Sequence, residues 1–279
     1  NDGEMCLVEH SDLIGDVFVG ALTDSLGNYI IKNINYGNGT TFTVTPSLES
    51  IIGRSLEFDG VNDYIDFSAR RIELSNGFTI ESWFKTPGAS SDMILFSTRN
   101  PVDQTVQLEV SMLASSSQLT VKYFDQVTTV GEGLNNNLWH HWAVAVDTLN
   151  QTIEIYIDGG SSLGGSQSVE LLSSNLIDDI TVLSELKIGS GLNNNAYFLG
   201  FMDESRVWSG PRTLDQITGT MNQTLVGDET GLSSYWNFNS GTGILINDIA
   251  GSGATGMIAD TANAENAWSI DIPLEETYS

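Results

Sequence analysis

The sequence predicts an all-β fold, an antiparallel sandwich of stacked sheets. Two observations carry that expectation. Apolar and polar residues alternate with a period of two along one segment after another. The segments are cut by Gly, Asn, Asp and Ser, with 28 glycines in the chain and almost no helix signal. Many short strands with frequent turns are the pattern of a sandwich or barrel.

Residues 1–49 hold about three strands, within VFVGALTDSLGNYIIKNINYGNGTTFTVTPS, with turns at Ser25–Asn28 and Gly37–Gly39. Three strands cannot close an immunoglobulin-like sandwich, which needs roughly seven. The stretch T-D-x-x-G-x-Y-x-I resembles carboxypeptidase-regulatory-like, prealbumin-type modules and matches only the back half of one. Pro46 and Ser47 mark a boundary. The expected organisation is a partial Ig/prealbumin-like β module over 1–49 and a larger domain over 50–279.

The larger part reads as a succession of strands: 78–84, 93–98, 106–113, 119–124, 139–147, 152–158, 185–190 and 198–208. In WHHWAVAVD, Trp139, His141, Ala143 and Ala145 share one face, and His140, Trp142, Val144 and Val146 the other. Both faces carry bulk, so this strand is expected between a core and a second covered side. Trp83, Trp142, Trp208 and Trp236 are expected in the core. Burying one such ring contributes roughly 2–3 kcal/mol by area. One helix is expected within 213–225, with Thr213 as N-cap and Leu214, Ile217, Met221 and Leu225 at helical spacing.

Charge narrows the function classes. The chain has 36 acidic and 10 basic side chains, a formal net charge of −26. That field repels phosphates, so nucleic acid and anionic membrane surfaces are not expected partners. Hydrophobic residues make up 40%, enough for a packed core and too many for a disordered chain. No run of about 18 apolar residues occurs, so no membrane insertion by a helix is expected. The single cysteine, Cys6, permits no internal disulfide. The chain starts at Asn1 with no leader pattern, as expected of a mature chain or a piece of a larger one.

Six motifs then line up in order. S-L-x-F-D-G-V-N-D-Y-I (55–65) is followed by F-T-I-E-S-W-F (78–84), N-L-W-H-H-W-A-V (137–144) and I-Y-I-D-G (155–159). L-K-I-G (186–189) and F-M-D-E-S-R-V-W (201–208) complete the series. This order resembles the LamG-like jelly-roll domains of the concanavalin A-like lectin/glucanase group, over about residues 50–270. The tail Y-W-N-F-N-S-G-T-G (235–243), with Asp248 and Gly256, looks like the closing hairpin of bacterial versions. The resemblance implies two antiparallel sheets packed face to face, often with a structural calcium. It also implies an extracellular, cell-surface setting within a multidomain adhesin, beside neighbouring modules of the same chain.

The turn FDGVNDYIDF has two readings. Asp59, Gly60, Asn62 and Asp63 can supply several oxygens to calcium, which takes six to eight. The resemblance makes Asp203, in the Met-Asp-Glu corner, their remote partner, with the Met202 carbonyl beside it. The other reading is a turn in which Asp59 and Asp63 bond nearby backbone amides. A second feature is GLNNN, at 133–137 and again at 191–195. Asparagine tolerates left-handed turns, so two hairpin loops explain it. The sharper reading is a pair of polar loops on one rim. There Asn135, Asn136, Asn193 and Asn194 offer amides to a sugar, and Tyr197 offers a ring.

Catalysis is not expected. EIYID (154–158) superficially resembles the E-x-D-x-E motif of laminarinase-type hydrolases, but Tyr156 replaces the central acid and Asp158 opens a turn. Retaining hydrolysis needs carboxyls about 5–5.5 Å apart. Residues i and i+4 on a strand are about 13 Å apart. His140 and His141 point to opposite faces and cannot easily share a metal. His141 is expected to be a satisfied, semi-buried packing residue. No G-x-S-x-G elbow and no phosphate-cradling loop is present. The expectation is a non-catalytic, calcium-stabilised module that binds a glycan or glycoprotein. A structural spacer, an accessory domain of a secreted glycoside hydrolase and a degenerate hydrolase stand as alternatives.

Overall fold

A computed structural model describes residues 5–10, 17–22, 43–47, 53–67, 71–73, 77–100, 105–160, 166–170, 182–259 and 267–274. The chain divides into two compact units, Asn1–Gly53 with Glu275–Ser279, and Arg54–Leu274.

In the first unit β1 (Met5–His10), β2 (Val17–Leu22) and β3 (Thr43–Ser47) form an antiparallel sheet of order β2-β1-β3. Cys6 lies on the central strand, opposite Ala21 and Pro46. The turns expected at Ser25–Asn28 and Gly37–Gly39 lie outside the described residues.

The second unit opens with β4 (Ser55–Asp59), β5 (Ile65–Asp66), β6 (Arg71–Glu73), β7 (Gly77–Lys85) and β8 (Met93–Arg99). It continues with β9 (Val106–Met112), β10 (Leu119–Tyr123), β11 (Gln126–Val130), β12 (Trp139–Asp147) and β13 (Thr152–Ile157). Then come β14 (Ser166–Glu170), β15 (Val182–Ser184), β16 (Lys187–Ile188), β17 (Leu199–Ser209) and the helix α1 (Leu214–Thr218). Last are β18 (Leu232–Trp236), β19 (Leu245–Ile246), β20 (Gly256–Ile258) and β21 (Trp268–Ser269).

These strands build two antiparallel sheets. The first runs β11-β10-β9-β8-β16-β5-β20-β19 and the second β14-β13-β12-β7-β17-β4-β21, with β18 also on β17. β6 and β15 pair apart from both. The inner faces meet in one apolar core that includes Ile65, Phe84, Phe96, Val110, Trp142 and Trp236. The strand pairing Trp268↔Leu56 and Ser269↔Ser55 sews the end of the unit to its beginning. The all-β sandwich expected from alternation is therefore the fold. No helix among the described residues is long and apolar enough to cross a membrane.

Two local expectations, both for tryptophans, need correction. Trp142 and Trp236 are in the main core, but Trp208 packs with Leu225 and Tyr235 on the outer face of the second sheet. Trp83 also lies outside the main core, because strand alternation puts Ile80 and Phe84 inward and Glu81 and Trp83 outward. In the tail, β18 joins the second sheet, while β19 and β20 form an antiparallel hairpin at the edge of the first, Ile246 opposite Gly256. The helix is five residues long, closed by a capping box between Thr213 and Gln216. Its Ile217 packs on Ala143, Ala145 and Tyr156 of the second sheet. The outer side of that sheet is the second covered face expected for WHHWAVAVD.

Candidate functional site

The acidic turn is built from its own backbone. Asp59 Oδ1 accepts from Val61 N at 2.7 Å and Asn62 N at 3.3 Å, and Asp63 Oδ2 accepts from Asp59 N at 2.9 Å. Gly60 sits at φ 75°, and a Cβ there would meet the Leu199 Cβ at 3.0 Å. Asp203 is not brought to this turn. Asp59 faces Leu199 in the β4–β17 ladder, and Asp203 lies four residues further along. That spacing is roughly 13 Å on a strand. The expected Met-Asp-Glu corner is a bulge within β17, with Glu204 at φ 52°. Asp203 is 5% exposed and accepts from Glu204 N at 2.8 Å. The set Asp59, Gly60, Asn62, Asp63 and Asp203 therefore does not fit one cation. Among the described residues no group of three or more His, Cys, Asp or Glu is placed to hold a metal.

The two asparagine loops are not hairpins. Residues 131–138 lead from β11 in the first sheet to β12 in the second, and 189–198 lead from β16 to β17 in the same sense. Asn137 (φ 61°) and Asn194 (φ 55°) are left-handed, as asparagine permits. Both loops meet the end of β7: Asn137 N donates to Thr86 O at 3.0 Å, and Thr86 Oγ1 donates to Leu199 O at 2.7 Å.

The first loop is committed to the fold. Asn135 lies against Gly88, where a Cβ would come within 2.9 Å of its Nδ2. Asn136 Oδ1 accepts from Leu138 N at 2.9 Å and faces His140 Nε2 at 3.0 Å. His140 Nδ1 in turn faces Asp158 Oδ2 at 2.8 Å. Asp158 Oδ1 accepts from His141 N at 2.8 Å, so this acid of EIYID serves as a clamp.

The second loop opens onto a patch that sequence reasoning found only in part. Tyr197 packs against Tyr64, ring centroids 6.3 Å apart and tilted by 35°. Lys187 places its ammonium 4.4 Å from the centre of the Tyr64 ring and donates to Asn194 Oδ1. Asn194 also hydrogen-bonds Tyr64. Burial raises the Tyr64 phenol, with Asp66 and Tyr197 adding to the effect. Burial lowers the Lys187 ammonium, and Asp66 opposes that shift. Asn193 and Asn194 are exposed, while Tyr64 and Tyr197 are half-buried.

This patch edges the outer face of the first sheet, on which Ser97 and Lys187 are buried and Lys122, Glu109 and Asp66 half-buried. The registers give one outward row across all eight strands: Val127, Lys122, Glu109, Ser97, Lys187, Asp66, Met257 and Leu245. Lys122 stands opposite Glu109, and Lys187 opposite Asp66. Arg99 pairs with Glu185 beside them. Met257 and Leu245 are 45% and 53% exposed.

The other outer face differs in kind. Arg206, fully buried, bonds Glu204 at 2.5 Å and donates to the Thr220 carbonyl at 3.0 Å. Glu81, also fully buried, lies 3.5 Å from Arg206 and accepts from Trp208 Nε1 at 2.8 Å. Tyr235 donates to Glu204 at 2.7 Å. His141 is 1% exposed, and neither ring nitrogen has a hydrogen-bond partner. It is packed edge-on to Trp83 and is not the satisfied residue expected. Burial pushes its imidazole down to about 4, with Glu81 opposing.

A family model described as the concanavalin A-like lectin/glucanases superfamily matches residues 59–218. The adhesion G-protein coupled receptor V1 of Danio rerio is 26% identical over 172 residues, 58% of this chain. The match spans 3% of that receptor's length. Among solved structures, one from Bacteroides ovatus, solved as a candidate carbohydrate-binding protein, superposes with a TM-score of 0.55 at 19% identity. It covers 82% of this chain and 64% of that one, and the likeness is one of fold.

Proposed function

The chain belongs to the concanavalin A-like lectin/glucanase superfamily, and from that premise we propose that it is a non-catalytic glycan-binding module. One observation supports this reading above the others: the half-buried Tyr64–Tyr197 pair, edged by the exposed amides of Asn193 and Asn194. Aromatic rings offer a sugar's C–H face a partner, and amides offer its hydroxyls hydrogen bonds. The module works outside the cell, as one unit of a longer adhesive chain. The name of the zebrafish relative, an adhesion receptor that this chain matches over only a small part, supports that setting. Among the described residues no ligand set for calcium is assembled.

A glycan array probed with the wild-type chain and with Tyr197→Ala tests the proposal, run in calcium and again in EDTA. Loss of the ring should weaken binding about tenfold, or roughly 1.4 kcal/mol, with the circular dichroism spectrum unchanged. The signal should be equal in EDTA. A blank array from folded protein would leave the spacer reading. Release of sugar from polysaccharide would make the chain an enzyme.

A further inference from the structure

The charges around the Tyr64–Tyr197 patch identify the class of glycan. Among the described residues of this face, Lys122, Lys187 and Arg99 stand against Glu109, Asp66 and Glu185, three cations and three acids. These described charges cancel, within a chain of net charge −26. Each cation already has an acid beside it. Lys187 is the most engaged, with Asn194 Oδ1 accepting from it, the Tyr64 ring beneath it and Asp66 opposite.

We infer that the ligand is an uncharged glycan, whose pyranose ring lies in the corner between Tyr64 and Tyr197. This rests on the binding reading above. A carboxylated or sulfated sugar would have to approach through the field of the whole acidic chain. On arrival it would find, among the described residues of this face, no cation without an acid beside it, and an anion desolvated without a partner is costly. A neutral pyranose meets neither penalty. Its C–H face packs on the rings, and its hydroxyls reach the amides of Asn193 and Asn194. Binding of this kind depends little on ionic strength, because no net charge is neutralised.

An array of paired glycans tests this, each neutral chain beside its sialylated or sulfated counterpart, read at about 0.05 M and 0.5 M NaCl. The neutral member of a pair should carry the signal, with less than about a twofold change with salt. The double variant Glu109→Gln with Glu185→Gln makes the face cationic. It should raise the signal of the acidic members and leave the neutral ones unchanged. Preference of the wild-type chain for acidic members, or a tenfold loss with salt, overturns the neutral-glycan inference and leaves the binding reading standing. A blank array overturns both.

Discussion

The two outer faces of the sandwich carry similar chemistry and put it to different uses. Beneath α1, the charges of Glu81, Glu204 and Arg206 are sealed from water. Across the outer face of the first sheet, Lys122, Glu109 and Asp66 are half-buried and Lys187 is buried, each cation opposite an acid. A five-residue helix and the turn after it make the difference. Charges that are covered must be paired, because losing one leaves its partner stranded. Charges reached by solvent are screened and add little to stability.

The comparison breaks most readily at Arg206. Its replacement by Met strands Glu204 and leaves Glu81 with Arg212, 3.6 Å away, at a cost of about 3–5 kcal/mol. The thermal midpoint should fall by roughly 6–20 °C, at about 2–4 °C per kcal/mol for a domain of this size. A fall below about 3 °C would show that the covered network is not what holds the helix and its turn in place.

Acid should act on the same side, through His141. The folded imidazole titrates at about 4, below its ordinary 6.5. The unfolded chain therefore binds the proton first as pH drops. His141's contribution is complete above pH 6.5 and is lost as pH falls toward 4, on the order of 3 kcal/mol. Urea melts across that window should show the loss, and His141→Leu should flatten it.

The outer face of the first sheet should be nearly indifferent. Lys122→Met should change stability by less than about 0.5 kcal/mol. A larger loss in a urea melt would erase the contrast between the faces.

How much of this was legible depends on element length. Strand β12 was readable to the residue, because nine residues show a period. The strands β5 and β16 have two residues each and show none. Yet these two bring Asp66 and Lys187 together, so of the patch only Asn193, Asn194 and Tyr197 were found in advance. Their signal was an aromatic beside an asparagine run. Tyr64, in the acidic turn, drew no attention because the acids suggested a metal. The expected partnership of Asp203 with that turn failed because β17 runs straight through the supposed corner, with a bulge instead of a turn. The network of Glu81 with Arg206 and Trp208 joins distant stretches of chain that register alone brings together.

The ladder between β4 and β21 has a mechanical consequence. Chain enters the unit at Ser55 and leaves past Ser269, and these two residues face each other. Tension applied across the unit would load that last rung first. The hydrogen bonds would open one after another, as in a zipper, instead of shearing together. Under pulling, the carboxy-terminal strand should peel away first while the rest of the sandwich stays closed.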